Sequence, residues 1–376
     1  MLQFFKIIII SFVLIIANSG QIFAYETIAK QAILMDYDTG IVLYNKQGDD
    51  KMVPSSMTKL MTVYIAFDYL KKGVFKLNDS FLVSENAWKM GGSRTFLKLG
   101  ERVDLETLLK GIIIQSGNDA SVTVAEGISG SQDAFARKMN EFAAKLGLKG
   151  THFVNPDGWP NEDHYMTAHD LALVAQALIR DFPEYYHYFA EKEYTYNNIK
   201  QQNRNLLINR GIGVDGLKTG HTEDGGYGLT ASALREGKRL ISVVNGLPSD
   251  KDRADEVEKM LDYGFHSFAS HKFFSNDQII SDAETWFGEK EKVGLMTKEP
   301  IEFIVPKLQL DSAKISIKYE GPISAPIKKG DKLATLVIEI PEYQTKEFPL
   351  YAAEDVAKLG KIQHVVKALK ILVVKK

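Results

Sequence analysis

Apolar and polar positions along this chain change their spacing several times, and each change predicts a different element. Residues 1–24 carry one positive charge at Lys6, an apolar run over 7–16, and small and polar residues before Ala24-Tyr25. That is the pattern of a secretory signal peptide cleaved after Ala24, because the run is shorter than the ~20 residues a spanning helix needs. Short apolar runs at 32–35 and 41–44 flank Asp38-Thr39-Gly40 and predict a hairpin. Helical spacing follows: Met57, Leu60, Met61, Tyr64 and Ile65 share a face, with Pro54-Ser55 supplying a break and a capping residue in front.

Further helices are predicted at 105–114, 120–126, 134–146 and 171–179, the third stopped by Gly147. From Val214 onward, runs at 218–219, 229–234 and 240–244, separated by turns such as Glu236-Gly237, predict neighbouring antiparallel strands, and a helix is expected at 254–263. Beyond about Phe268, β-type runs at 301–305, 315–319 and 333–340 alternate with proline and glycine, which predicts a smaller β-rich domain. The tail returns to helical spacing, with Val356, Leu359, Ile362, Val365, Val366, Leu369, Leu372 and Val373 on one side. Lys358, Lys361, His364, Lys367 and Lys370 fall mostly on the other. Such a helix lies in a membrane surface or packs on the β-domain, and the basic face together with the export signal favours the membrane. The expected organisation is a signal at 1–24, a helix-and-sheet domain at 25–268, a β-rich domain at 269–352 and a membrane-associating helix at 353–376.

Composition narrows the chemistry. With 46 basic and 48 acidic side chains the formal net charge is −2, so no overall field recruits nucleic acid. The chain has no cysteine, so an exported fold must be held by packing, and cysteine catalysis and thiolate metal sites are excluded. The eight histidines show no H-E-x-x-H or comparable spacing and no glycine-rich phosphate loop occurs, so neither a metal nor another cofactor is expected.

Three segments carry chemistry. In Ser56-Met57-Thr58-Lys59, a helix starting just before Ser56 sets hydroxyl and amine on one face, because positions i and i+3 are neighbours. Lys59 can then take the proton a serine must lose to become a nucleophile, provided its amine is uncharged. Burial and a second cation such as Lys218 favour that state; a solvated helix lysine is the alternative. Since a bare S-x-x-K arises by chance about once in a chain of this length, order and context decide. Ser116-Gly117-Asn118 follows at a loop-to-helix junction, where serine and asparagine are caps or active-site groups. Lys218-Thr219-Gly220-His221-Thr222 suits a strand edge along which an extended peptide can lie, with Gly220 letting another backbone come close.

Together with the flanking strings Pro54-Ser55-Ser56-Met57-Thr58-Lys59-Leu60-Met61-Thr62, Ser116-Gly117-Asn118-Asp119-Ala120, His152-Phe153-Val154-Asn155-Pro156-Asp157-Gly158 and Asp215-Gly216-Leu217-Lys218-Thr219-Gly220-His221-Thr222, these motifs resemble the low-molecular-mass penicillin-binding proteins that are D-alanyl-D-alanine carboxypeptidases. Class A β-lactamases carry related motifs in the same order. The resemblance covers nearly all of the chain after residue 24. It implies an α+β, β-lactamase/penicillin-binding-like catalytic domain, an antiparallel sheet flanked by helices, with the smaller β-rich domain and amphipathic helix behind it.

The implied activity is removal of the terminal D-alanine from a peptidoglycan stem peptide through an acyl-enzyme on Ser56, with β-lactam antibiotics as covalent inhibitors. By the same resemblance Lys59 is the base, Ser116 relays a proton between lysine, leaving group and water, and Asn118 binds the substrate backbone. The N–H groups of Ser56 and His221 form an oxyanion hole. Thr219 bonds the terminal carboxylate, and Lys218 and Gly220 complete the binding strand. Arg253 matches the family's carboxylate-binding arginine although its Pro248-Ser249-Asp250 surroundings depart from the usual glycine-rich ones; a surface arginine is the alternative. The implied location is the periplasmic face of the inner membrane. Gly117 stands where class A β-lactamases have aspartate, and no Glu-x-x-Leu-Asn string supplies a deacylating carboxylate, so penicillin should leave Ser56 slowly. A D,D-endopeptidase and a catalytically silent penicillin-binding scaffold are the alternative functions.

Overall fold

The computed structural model describes residues 25–341, 343–363 and 365–366. The signal expected at 1–24 and the end of the expected tail helix, 367–376, lie outside the described residues.

The hairpin predicted near the start is β1 (Gln31–Asp36) and β2 (Val42–Lys46). A 3-10 turn at Ser55–Thr58 leads into α1 (Lys59–Lys71). Next come β3 (Ser80–Leu82), α2 (Glu85–Trp88), β4 (Arg102–Asp104), α3 (Leu105–Ile113), α4 (Asn118–Ser129), α5 (Gln132–Lys145) and α6 (Ala168–Asp181). A small hairpin, β5 (Glu193–Tyr196) and β6 (Ile199–Gln202), precedes the long strands β7 (Val214–Thr222), β8 (Gly226–Arg235) and β9 (Lys238–Leu247), and α7 (Asp250–Ser267) ends the domain. Side-chain caps set several helix starts ahead of the apolar pattern: Asp104 accepts from Thr107 N, Ser131 from Ala134 N, Thr167 from Asp170 N and Ser249 from Asp252 N.

The main sheet is antiparallel in the order β2-β1-β9-β8-β7, which leaves β7 at an edge. Both faces are covered. Ile241 and Val243 join the core of α1 and α3–α6, while Leu240 and Val244, pointing the other way, pack with Val257, Met260 and Leu261 of α7. Burial on both faces is why the strand reads as a continuous run instead of an alternation. Helix α1 is enclosed on every side, from Leu60 to Phe67, so the single apolar face expected for it is replaced by a central core helix. Lys59 therefore begins a helix that runs through the middle of the domain.

The chain then forms β10 (Phe268–Phe274), β11 (Ile279–Trp286), β12 (Lys292–Met296), β13 (Ile301–Pro306), β14 (Lys314–Lys318), β15 (Ile323–Ser324), β16 (Lys332–Ile340) and β17 (Gln344–Ala352). Strand β10 pairs with β13, and the others form a sheet in the order β14-β16-β17-β12-β11-β15 around Val293, Leu295, Phe303, Leu336, Ile338 and Leu350. The helix expected from 353 onward is corrected at its start. Val356 is buried in this core and bridges to Ile327, and Lys358 bridges to Gly288, so residues 355–359 are extended. Helical structure begins only at 361, where Ile362 and Val365 are exposed. Among the described residues no helix is long and apolar enough to cross a membrane.

Candidate active site

Edge strand β7, the 3-10 turn before α1, the start of α4 and the loop before α6 converge on a cleft of about 1180 Å³. Ser56, Ser116, Asn118, Thr219, Gly220, His221 and Arg253 line it. Lys59 and Lys218 are buried.

Ser56 stands half-exposed on its turn. Three residues on, Lys59 Nζ donates to Ser56 Oγ at 2.8 Å, to Asn118 Oδ1 at 2.7 Å and to the Asp157 carbonyl at 2.7 Å. This fully buried amine is no solvated helix lysine. Burial pulls its pKa down to about 8, against the opposing pull of Asp157 and Asp119. Of the two causes expected, burial is the one that lowers Lys59, and the repulsion between the two lysines falls on Lys218. Lys218 is itself held well below the usual lysine range, by burial first and then by repulsion from Lys59, Arg253 and Arg204.

The cap reading of Ser116 and Asn118 fails on geometry. Gly117 is the N-cap of α4 and no side chain caps it. The Asn118 side chain instead spans from Lys59 to the Gly91 carbonyl, 2.8 Å from its Nδ2. Ser116 is buried with φ +61°, a conformation costing a non-glycine residue roughly 1–3 kcal/mol. The surrounding loop is pinned: Asn118 N bonds Ser93 O, and the Asp119 carboxylate accepts from Thr95 N, Leu97 N and Ala120 N. Gly117 has a local reason too, since a Cβ there would lie 2.1 Å from Thr95 Oγ1 and 2.9 Å from Asp119 Oδ1.

Similarly, Gly220 admits the chain's own backbone: a Cβ would lie 2.8 Å from the Pro54 carbonyl, so β7 passes hard against the Ser56 turn. Ser55, expected as a helix cap, has φ +50° and no capping bond; its Oγ meets Thr222 Oγ1 at 3.1 Å and ties the turn to β7. His221 is exposed and stacks on Tyr227 at 3.9 Å. Arg253 is buried, not a surface residue; its guanidinium lies 5.6 Å from the Tyr227 ring and reaches the carbonyls of Gly220 and Arg204 at 3.5 and 3.4 Å. Its pKa is lowered to about 10 by burial. The cleft thus has a cationic end at Arg204, Lys218 and Arg253, suited to a carboxylate.

Residues that the motifs did not single out complete the site. Asp157 belongs to the loop under Lys59, and Gly158 beside it packs so tightly that a Cβ would sit 1.8 Å from the Ser55 carbonyl. Buried His164 supports that loop: its Nδ1 accepts from Val154 N at 3.2 Å, so Nε2 carries the proton and donates to Thr58 Oγ1 at 2.9 Å. Burial holds it neutral, with a pKa near 4. Asp157 lies in a segment quoted for its resemblance and His164 lies beyond it, and an isolated carboxylate or imidazole in a polar loop has no periodic signature. Among the described residues no cluster could hold a metal ion.

A family model described as D-alanyl-D-alanine carboxypeptidase matches residues 17–249, and one described as penicillin-binding protein 5, C-terminal domain, matches residues 268–358. D-alanyl-D-alanine carboxypeptidase DacF of Bacillus subtilis is 41% identical over 88% of this chain and 87% of its own, and DacC of Escherichia coli is 40% identical over 88% and 85%. Among solved structures, D-alanyl-D-alanine carboxypeptidase DacD from Francisella tularensis superimposes with a TM-score of 0.79 at 30% identity, covering 89% of this chain and 95% of its own. Penicillin-binding protein 5 from Haemophilus influenzae gives 0.73 at 35% identity, covering 89% and 99%. With sequence, fold and site in agreement over most of its length, the chain belongs to the D-alanyl-D-alanine carboxypeptidase family of penicillin-binding proteins.

Proposed function

We propose that this serine-type D-Ala-D-Ala carboxypeptidase works through an acyl-enzyme on Ser56, with Lys59 as its base. The 2.8 Å bond from a buried, readily neutralised amine to the Ser56 hydroxyl carries the reading. The substrate is the end of a peptidoglycan stem peptide, lying extended along the free edge of β7. Thr219, Arg253 and Lys218 receive its terminal carboxylate, Asn118 bonds its backbone, and Gly220 keeps the strand close to the nucleophile. The N–H groups of Ser56 and His221 stabilise the oxyanion.

Ser56 loses its proton to Lys59 as Oγ bonds to the penultimate D-alanine carbonyl. Ser116 relays that proton to the departing D-alanine nitrogen as the peptide bond breaks. Water then cleaves the ester, its proton returning along the same route to Ser56. Penicillin acylates Ser56 in the same way. The signal, export to the periplasm and peripheral attachment by the tail are also part of this reading, supported by the apolar run at 7–16 and by exposed Ile362 and Val365. So are the division into units at 25–268 and 269–352, supported by the change from α7 to β10 at Phe268, and the membrane-associating segment, now starting near 361.

The test is Ser56→Ala. Labelled-penicillin adduct and D-alanine release from a monomeric pentapeptide should both disappear while the fold persists by circular dichroism; either one undiminished refutes the nucleophile. Running a cross-linked muropeptide in parallel separates carboxypeptidase from endopeptidase action.

A further inference from the structure

The loop beneath Lys59 holds a carboxylate that the reaction steps above leave unused. Asp157 is 2% exposed, and among the described residues its Oδ2 is buried without a hydrogen-bond partner. Its Oδ1 is met by backbone N–H groups alone, that of Trp159 at 3.4 Å and that of Asp157 itself. A buried carboxylate so poorly satisfied is costly unless a charge nearby compensates it. The cation that acts on it is Lys59, whose ammonium hydrogens reach the carbonyl of the same residue. The bond is to the backbone, so the carboxylate acts on the amine through space.

We propose that Asp157 is a positioning residue for the Lys59 proton: its buried carboxylate supplies the counter-charge for the ammonium that Lys59 becomes when it takes the proton of Ser56. The inference rests on Lys59 being the base, as read above. In that step the Ser56 O–H bond breaks, Nζ gains the proton, and a full positive charge appears on a side chain that is itself fully buried. Lys218 opposes that charge from β7, whereas Asp157 from the loop and Asp119 from α4 favour it. Asp119 is already engaged by three backbone N–H groups, with Arg94 4.0 Å away, so its charge is largely spoken for. His164, on the far side of the Ser56 turn, is neutral. Asp157 is the carboxylate left to respond. Burial raises its own pKa and Lys59 lowers it, as a coupled pair requires.

The test is the pH dependence of Ser56 acylation by labelled penicillin, measured on the full chain carrying Asp157→Asn and, separately, Asp157→Ala. Both keep the backbone carbonyl that Lys59 bonds. Without the negative charge the ammonium is less favoured, so the rising limb of the profile should move to lower pH by roughly one pH unit, and the plateau rate should fall about tenfold. A plateau that falls with the limb unmoved, or a limb moving to higher pH, overturns the proposal. Failure to form any adduct at Ser56 in the unmodified chain would instead refute the reading beneath it. Should neither variant fold, carbon-13 NMR of the aspartate-labelled full chain decides. One carboxyl titrating above the usual range, and moving when penicillin occupies Ser56, supports the coupling; all aspartates titrating normally overturns it.

Discussion

The edge of the catalytic sheet and the face of the C-terminal sheet are built largely from antiparallel pairs, yet they handle charge in opposite ways. Around β7, Lys59, Asp157, Lys218 and Arg253 are buried, and burial shifts the protonation of all four. Among the described residues of the C-terminal domain, the buried side chains are apolar apart from Thr285 and Thr297. Its ion pairs, such as Lys314 with Glu339 and Lys318 with Glu347, sit in solvent with side chains about half or more exposed. Burying a charge costs several kcal/mol before any compensation. The second domain is therefore built for stability, while the first gives some up to bury a lysine, its pKa pulled down to about 8, beside the Ser56 hydroxyl.

Substitutions can break or sharpen this contrast. Lys59→Met removes the buried amine and should cut the rate of Ser56 acylation roughly 10³-fold, measured by labelled penicillin on protein shown to be folded. Leu336→Ala, in the apolar core of the other sheet, should cost about 2–5 kcal/mol in thermal or denaturant unfolding. Its acylation rate per folded molecule should not change, and if it does, the two regions are not independent. Arg253→Ala should weaken binding of a peptide with a free terminal carboxylate by about 1.5–3 kcal/mol, tenfold or more in KM, and leave the corresponding peptide amide unaffected. Lys318→Ala, removing one exposed pair, should change stability by only about 0–1 kcal/mol.

How far the sequence could be read follows the same division. The strands near β8 and β9 were legible because they bury long apolar runs, and the helices α3–α7 because their buried apolar positions recur at helical spacing. Hairpin β5–β6 was not, since its residues are mostly exposed and polar and it is fixed by bonds such as Gln201 Nε2 to Arg94 O. Strand β17 was hidden by Pro349 and its charged positions. The tail misled because Val356, Leu359 and Ile362 keep helical spacing although Val356 belongs to the β-domain core. In the site, Ser56 and Lys59 were legible because positions i and i+3 share a helix face, and Ser116 and Lys218 because their motifs resemble those of the family. Asp157 and His164 were not, because their importance comes from the packing of Gly158 on the Ser55 carbonyl, a contact without a sequence period.

The uncharged amine is the centre of the account, and the pH profile of Ser56 acylation by penicillin in the unmodified chain tests it most directly. With Lys59 held near 8 by burial, the rate should rise about tenfold per pH unit and level off just above pH 8. A rate that stays flat from roughly pH 6 to 9, or that bends near the ordinary histidine value of roughly 6.5, would contradict it.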